Sequence, residues 1–317
     1  MSSSLIARHH LRHLALLVAA VTVVAVPLIG LGHDPAVRAA TTASASSPRL
    51  SSLEAPYEGL GTWVDMYNKG PWAHPSRTIT RMVKRGVETL YLETSSYRTR
   101  HAIFRPGSAA RLITIAHANG IRVVAWSVPG FKNLRTDYAR VMKAVNFTTP
   151  SGQAFDSYAM DIEATLVPSI DQRNKRFAKL ASNVRSSIGS AVLGAIVPDP
   201  AHQTFWKPFP YLTVERLFDV YLPMSYFTLR EIHGLHKVHN YIVANIRFVR
   251  AASRNDAAQI HVIGGIAGDV SPRETRGMMT AARNMKAIGA SLYDFPITTP
   301  KEWRKMQGAR SLRAPAG

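Results

Sequence analysis

The sequence predicts an α/β protein built as a single (β/α)8 barrel, a TIM barrel, and three observations carry that expectation. From Gly61 onward, short β-rich apolar runs alternate with helix-patterned runs, eight of each. The alternation fills about 250 residues, the usual size of such a barrel. The turn after the first strand, Asn68-Lys69-Gly70-Pro71-Trp72, lacks the glycine-rich phosphate loop that opens a doubly wound sheet.

The strand runs, rich in β-branched and aromatic residues, span 62–67, 88–93, 122–127, 157–162, 191–197, 219–225, 259–264 and 290–293. Between them, apolar residues at helical spacing predict helices over 76–85, 108–119, 134–145, 171–188, a short one near Val214, then 237–253, 272–288 and 300–307. Gly120 after Asn119 is a helix stop, and Ser271-Pro272 is a helix start with the serine as cap. A helix between successive strands imposes parallel pairing through right-handed crossovers.

Ahead of the barrel, Arg8, Arg12 and neighbouring histidines precede an uncharged run over 14–32. A basic head, an apolar stretch and small residues after it predict a secretory signal peptide over 1–45, cleaved after Ala39 or Ala45. The competing expectation is an uncleaved membrane anchor, because the run approaches the length of a span. Residues 46–56, rich in Ser, Ala and Pro, read as a flexible linker, and 57–317 as the barrel domain. Either reading places the barrel outside the cytoplasm, secreted or held at a membrane through its first segment.

Composition narrows the chemistry. The absence of cysteine excludes a disulfide scaffold, a thiol nucleophile, a zinc–thiolate site and an iron–sulfur cluster. Lysine and arginine number 39 against 20 acidic residues, a net charge of +19 that favours anionic partners such as a cell-wall polymer. The basic residues are scattered, as in Arg81, Lys84 and Arg85, and no run of them interleaves with aromatics, so a nucleic-acid partner is not expected. No cofactor is implied. His233, His236 and His239 recur every third residue, but solvated histidines account for them better than a metal site does.

Barrel enzymes place their chemistry at the carboxyl ends of the strands. Those ends carry Asp65, Tyr67, Glu93, Trp126, Asp161, Glu163, Asp199, Met224, Tyr226, Tyr293 and Asp294, with Trp206 in the loop after strand five. Carboxylates and aromatic rings around a concave mouth suit sugars, whose apolar faces stack and whose hydroxyls need acceptors. The strongest pairing is Asp161-Ile162-Glu163: side chains alternate along a strand, so both carboxyls share one face. Their mutual repulsion raises the pKa of one, and a carboxyl kept protonated near neutrality is what a glycosidase needs to protonate a leaving oxygen.

The segment Asp156-Ser157-Tyr158-Ala159-Met160-Asp161-Ile162-Glu163 resembles the signature of glycoside hydrolase family 18, the chitinase-like barrels, which reads Asp-Gly-x-Asp-x-Asp-x-Glu. Met224-Ser225-Tyr226 on the sixth strand is similar to that family's Met-x-Tyr. The resemblance implies Glu163 as general acid/base, Asp161 as its electrostatic partner, and Tyr226 as a contact to the N-acetyl group that serves as internal nucleophile. The chain departs from the pattern where Ala159 replaces the middle aspartate, Ser157 the glycine, and Tyr293-Asp294 the tryptophan that floors the sugar subsite. A looser relative among barrel glycosidases fits equally. The muramidases of family 25 also use an Asp-x-Glu, but their opening strand is matched here by Asp65 alone.

The expectation is an exported glycosidase acting on a β-linked, chitin-like or cell-wall glycan, N-acetylated or not. The alternatives are a catalytically silent glycan-binding barrel and a muramidase-like hydrolase.

Overall fold

The apolar runs form eight strands: β1 (Gly59–Val64), β2 (Thr89–Ser96), β3 (Arg122–Val128), β4 (Ser157–Asp161), β5 (Leu193–Val197), β6 (Val220–Pro223), β7 (Gln259–Ile266) and β8 (Gly289–Tyr293). In this computed structural model, which describes residues 55–313, each strand pairs in parallel with the next in sequence, and β8 pairs with β1. The sheet is therefore a closed barrel with no exposed edge. The expected signal peptide and most of the expected linker lie outside the described residues.

Helices fill the crossovers: α1 (Lys69–Ala73) and α2 (Pro75–Lys84), then α3 (Pro106–Ala118), α4 (Leu134–Val145), α5 (Ile170–Ile188), α6 (Tyr211–Leu217), α7 (Leu235–Ser253), α8 (Pro272–Asn284) and α9 (Pro300–Met306). Their starts carry the expected chemistry. Ser271 accepts from the Glu274 N–H at 3.3 Å while the Glu274 carboxylate accepts from the Ser271 N–H at 2.7 Å, a reciprocal cap on α8. That helix stops four residues before the expected 288, where Lys286 turns into the left-handed region at φ 52°.

The first strand begins three residues earlier than the expected 62, because its glycines belong to the sheet rather than to a turn. Gly61 faces the barrel interior, where a Cβ would come within 2.6 Å of the Tyr91 ring and 2.9 Å of His261. Glycine there, and at Gly194 and Gly289, makes room for a floor of large polar side chains.

Tyr57 supplies the centre of that floor. It ends a 3-10 turn, Ala55–Tyr57, in which Pro56 is buried beside it. Its hydroxyl donates to the Tyr158 carbonyl at 2.8 Å, and its carbonyl accepts from His261 Nδ1 at 2.8 Å. A carbonyl can only accept, so His261 carries its proton on Nδ1 and accepts at Nε2 from Ser291 Oγ, 3.0 Å away. Ser291 Oγ in turn accepts from Trp63 Nε1 at 2.8 Å. Burial pushes the imidazole down to about 4, so it is neutral at physiological pH. The Trp63 ring stacks on Tyr91 with centroids 4.2 Å apart and closes the layer above. Ala at position 194 would put a Cβ 2.7 Å from the Tyr57 ring, so Gly194→Ala is expected to destabilise the fold by about 1–3 kcal/mol in urea unfolding. An unchanged midpoint would mean the floor is not packed this way.

Candidate active site

Strand register decides which side chains reach the opposite end, the mouth. Glu93 on β2 aligns with Trp126 on β3, and Trp126 with Ala159 on β4, so these share the inner face. Two residues beyond Ala159 stands Asp161, and two beyond that Glu163, just past the strand end. Asp65 follows β1, Tyr226 follows β6, and Tyr293-Asp294 closes β8. Five carboxyls thus converge from four strand ends: Asp65, Glu93, Asp161, Glu163 and Asp294.

The loop after β1 organises them. Asn68 accepts from the Asp65 N–H at 2.9 Å and donates to Asp294 Oδ2 at 3.0 Å. Asp65 accepts from the Tyr67 N–H at 2.7 Å and from the Tyr293 hydroxyl at 2.9 Å. The Met66 N–H donates to Glu93 Oε2 at 2.9 Å, and Trp72 Nε1 pins the Asp65 carbonyl at 2.7 Å. One short loop therefore grips three of the five carboxyls.

Burial dominates the electrostatics. Glu93, 3% exposed, is pushed up to about 8 by loss of water, with Asp65 and Glu163 adding to the rise against the Met66 N–H and Arg98. Asp294 is pushed up to about 7 by burial, with Asp65 adding and Asn68 opposing. Asp161 rises well above the carboxylate range through burial and then the charges of Glu163 and Glu93. Glu163 also rises through burial, but the Arg98 guanidinium holds it back. The proton retained near neutrality belongs to the Asp161–Glu163 pair and rests more strongly on the deeper Asp161. Tyr226 and Tyr293, both half-buried beside these carboxyls, keep their hydroxyl protons far above physiological pH.

Arg98 and Asn68 are site residues that the sequence reading missed. Arg98 sits two residues past the end of β2, with Nε donating to the Tyr97 hydroxyl at 3.0 Å and the guanidinium 5.2 Å from the Tyr97 ring. A cation this close behind a carboxylate-bearing strand end was the available signal.

The other expected site residues divide. Tyr67 lies at the rim, 45% exposed, and Met224 is buried in a bridge to Ile263 beside Tyr226. Trp126, expected to stack on sugar, is 5% exposed and packs edge-on to Trp63 at 5.7 Å, so its ring fills the barrel beneath the mouth. Trp206, also expected to stack, is fully buried: its indole donates to Asn174 Oδ1 at 2.6 Å and lies edge-on to Phe131 at 5.8 Å. Asp199 stands outside the cluster, paired with Arg230 at 2.7 Å. Asp156, the first match to the signature, binds His117 at 2.8 Å and the Val123 N–H at 2.6 Å, tying β3 to β4 at the opposite end from the mouth. His233 pairs with Glu274 at 3.1 Å. Among the described residues, no three acidic or histidine side chains are grouped closely enough to hold a metal ion.

No protein-family model matches the chain, and no curated protein matches its sequence. Its backbone is similar to several solved structures. An endo-β-1,4-mannanase from Thermotoga petrophila superposes with a TM-score of 0.62 at 8% identity, over 84% of this chain and 78% of that one. A class V chitinase from Pseudomonas fluorescens gives 0.57 at 9% identity, over 80% and 99%. A glycoside hydrolase family 18 N-acetylglucosaminidase from Paenibacillus barengoltzii gives 0.54 at 9%, again over 80% and 99%. At such identities the likeness establishes architecture: the chain is a (β/α)8 barrel of the form that these glycoside hydrolases share.

Proposed function

We propose that the barrel is an exported glycosidase that hydrolyses a β-linked, chitin-like or cell-wall polysaccharide, with Glu163 as general acid/base. The observation that carries this reading is the Asp161–Glu163 pair on the inner face at the end of β4, buried enough to keep a proton near neutrality. Glu163, the more accessible of the two, delivers that proton to the glycosidic oxygen as the C–O bond breaks. Asp161, having passed the shared proton to Glu163 before this step, is ionised and steadies the positive charge that develops on the sugar. Glu163, now a carboxylate, takes a proton from the incoming water. Tyr226, its ring beside both carboxyls, orients the sugar.

A catalytically silent glycan-binding barrel is the second reading. Ala159 favours it, because the inner-face position below Asp161 carries no carboxyl, while the Trp126 indole fills the adjoining layer. A muramidase-like hydrolase would use the same pair on peptidoglycan. The test is release of new reducing ends from chitin oligomers and peptidoglycan by the protein and by Glu163→Gln, alongside retention on the insoluble polymers. Cleavage by the wild type alone supports the enzyme. Equal retention without cleavage supports the binder and sinks the assignment of Glu163.

Arg98 offers a pH check. Its charge lowers the pKa of Glu163, Asp161 and Glu93, so Arg98→Gln is expected to move the alkaline limb of the pH–rate profile upward. An unmoved or downward-shifted limb would show that the guanidinium does not act on the acid.

A further inference from the structure

Resting on the glycosidase reading, we propose that Arg173, in the first turn of α5, is a positioning residue whose guanidinium holds in place the segment that carries Glu163. The need for such a hold follows from where β4 ends. The strand stops at Asp161, and just past it the Ile162 N–H donates to the Ile196 carbonyl at 2.9 Å. Glu163 therefore stands on backbone outside the sheet. Between Ile162 and Ser169, which caps α5, two backbone carbonyls are held by Arg173: Nε donates to Val167 at 2.9 Å and Nη2 to Pro168 at 3.4 Å. Nη1 of the same group donates to the Phe205 carbonyl at 3.2 Å, so one guanidinium joins the loop after β4 to the loop after β5. Its neighbours extend the tie. Asn174 accepts from Trp206 Nε1 at 2.6 Å and donates to the Pro208 carbonyl at 3.1 Å, while Arg176 donates to the Phe131 and Lys132 carbonyls after β3. One turn of helix thereby grips three consecutive loops of the mouth.

Two observations distinguish Arg173 within that turn. First, it is 3% exposed, and its charge is met by carbonyl dipoles and by the Trp206 ring, whose centroid lies 4.7 Å from the guanidinium carbon. Burying a cation costs free energy that an apolar side chain of the same length would not, so its place here needs a reason beyond filling space. A planar fork that reaches three carbonyls at once supplies one, and the point charge of a lysine would not. Second, Arg173 is not among the charges acting on Glu163, whose carboxyl is pushed up by burial and held back by Arg98. The other titratable groups that face Glu163 are Asp161 on β4, Glu93 on β2 and Tyr226 after β6. Arg173 therefore works by place rather than by field, keeping Glu163 beside Asp161 and away from bulk water.

The test is carbon-13 NMR titration of the Glu163 carboxyl in the full chain, identified by its absence from Glu163→Gln, in the wild type, Arg173→Met and Arg173→Lys. Methionine keeps the length without the charge, and lysine keeps the charge without the fork. Both variants are expected to lower the Glu163 midpoint by about half a pH unit or more, because a loosened segment admits water to a carboxyl that burial had raised. The alkaline limb of the pH–rate profile should move down with it, and kcat should fall about tenfold or more at an unchanged folded fraction. A midpoint unmoved in both variants makes Arg173 a tie of the fold alone and overturns the proposal. A rise in Arg173→Met with no change in Arg173→Lys means that the charge acts directly, which also overturns it. Loss of folding in both variants makes the guanidinium a requirement of the fold, and the positioning role falls. If the midpoint shifts as expected but the wild type cleaves no glycan, the glycosidase reading falls while the hold on Glu163 stands.

Discussion

Glu163→Gln is expected to lower kcat on an unactivated glycan by about 10²–10⁴, the usual worth of a positioned general acid. Glutamine keeps the shape and the hydrogen-bonding reach of the side chain but has no transferable proton, so substrate affinity should change little. The loss should shrink on an aryl glycoside whose phenolate leaves without protonation. That contrast separates the loss of an acid from the loss of fold, because a misfolded variant would fail on both substrates. Asp161→Asn provides the companion measurement. Asp161 is the deeper store of the shared proton, so its replacement should also lower kcat, and the aryl glycoside should not restore it to the same degree. Full activity of Glu163→Gln on the unactivated glycan would remove this carboxyl from the chemistry.

Glu93→Gln is expected to stabilise the folded protein at alkaline pH by about 3–5 kcal/mol while leaving it nearly unchanged near pH 4.5. The sign follows from the protons bound. Folding raises Glu93 from 4.5 to about 8, so between those values the native state holds a proton that the unfolded chain has released. Stability therefore falls as pH rises through this window, and glutamine, which cannot ionise, does not share the fall. Asp294, raised from 3.8 to about 7, adds a second decline over an overlapping range, and its coupling to Asp65 makes the two less than additive. His261 works in the other direction. Its pKa drops from 6.5 to about 4 on folding, so its contribution is lost as pH falls through that interval. Between pH 4.5 and 6.5 His261 offsets only one of the two carboxyl declines, so the wild type should lose stability gently there and more steeply above pH 6.5, where no rising contribution remains. Urea unfolding at pH 5, 7 and 8.5 reads this directly. Equal pH dependence in wild type and Glu93→Gln would show that Glu93 is not held protonated.

Periodicity carried most of the architecture. The helix expected over 134–145 is found as Leu134–Val145, capped by Asn133 accepting from the Thr136 N–H at 3.1 Å. Alternation along β4 predicted Asp161 and Glu163 on one face; in the structure the strand ends at Asp161, and Glu163, just beyond it, is its electrostatic neighbour. What remained hidden depended on contacts distant in sequence. Gly59 and Gly61 lie before the expected strand; Gly59 turns to a φ of 79° with the Glu88 side chain against it, and Gly61 leaves room for the Tyr91 and His261 rings. Trp206 looked like a sugar platform because its loop follows a strand end, but the loop folds back onto α5, where Asn174 and Arg173 take the indole. Asn68 seemed only a turn former, yet its amide reaches an aspartate 226 residues away. Sequence spacing carries no sign of such meetings.

The floor of the barrel also bears on how the chain is made. Tyr57 bonds to Ser157 and His261, which lie 100 and 204 positions later. At a synthesis rate of about 5–20 residues per second, the tyrosine waits on the order of 10–40 s for the histidine that completes its contacts. Ring closure waits longer still, since β1 can pair with β8 only after the last strand has left the ribosome. Throughout that interval the early strands present unpaired apolar edges to any neighbour. Ring closure and completion of the floor therefore both belong to the last stage of folding, when β7 and β8 are in place.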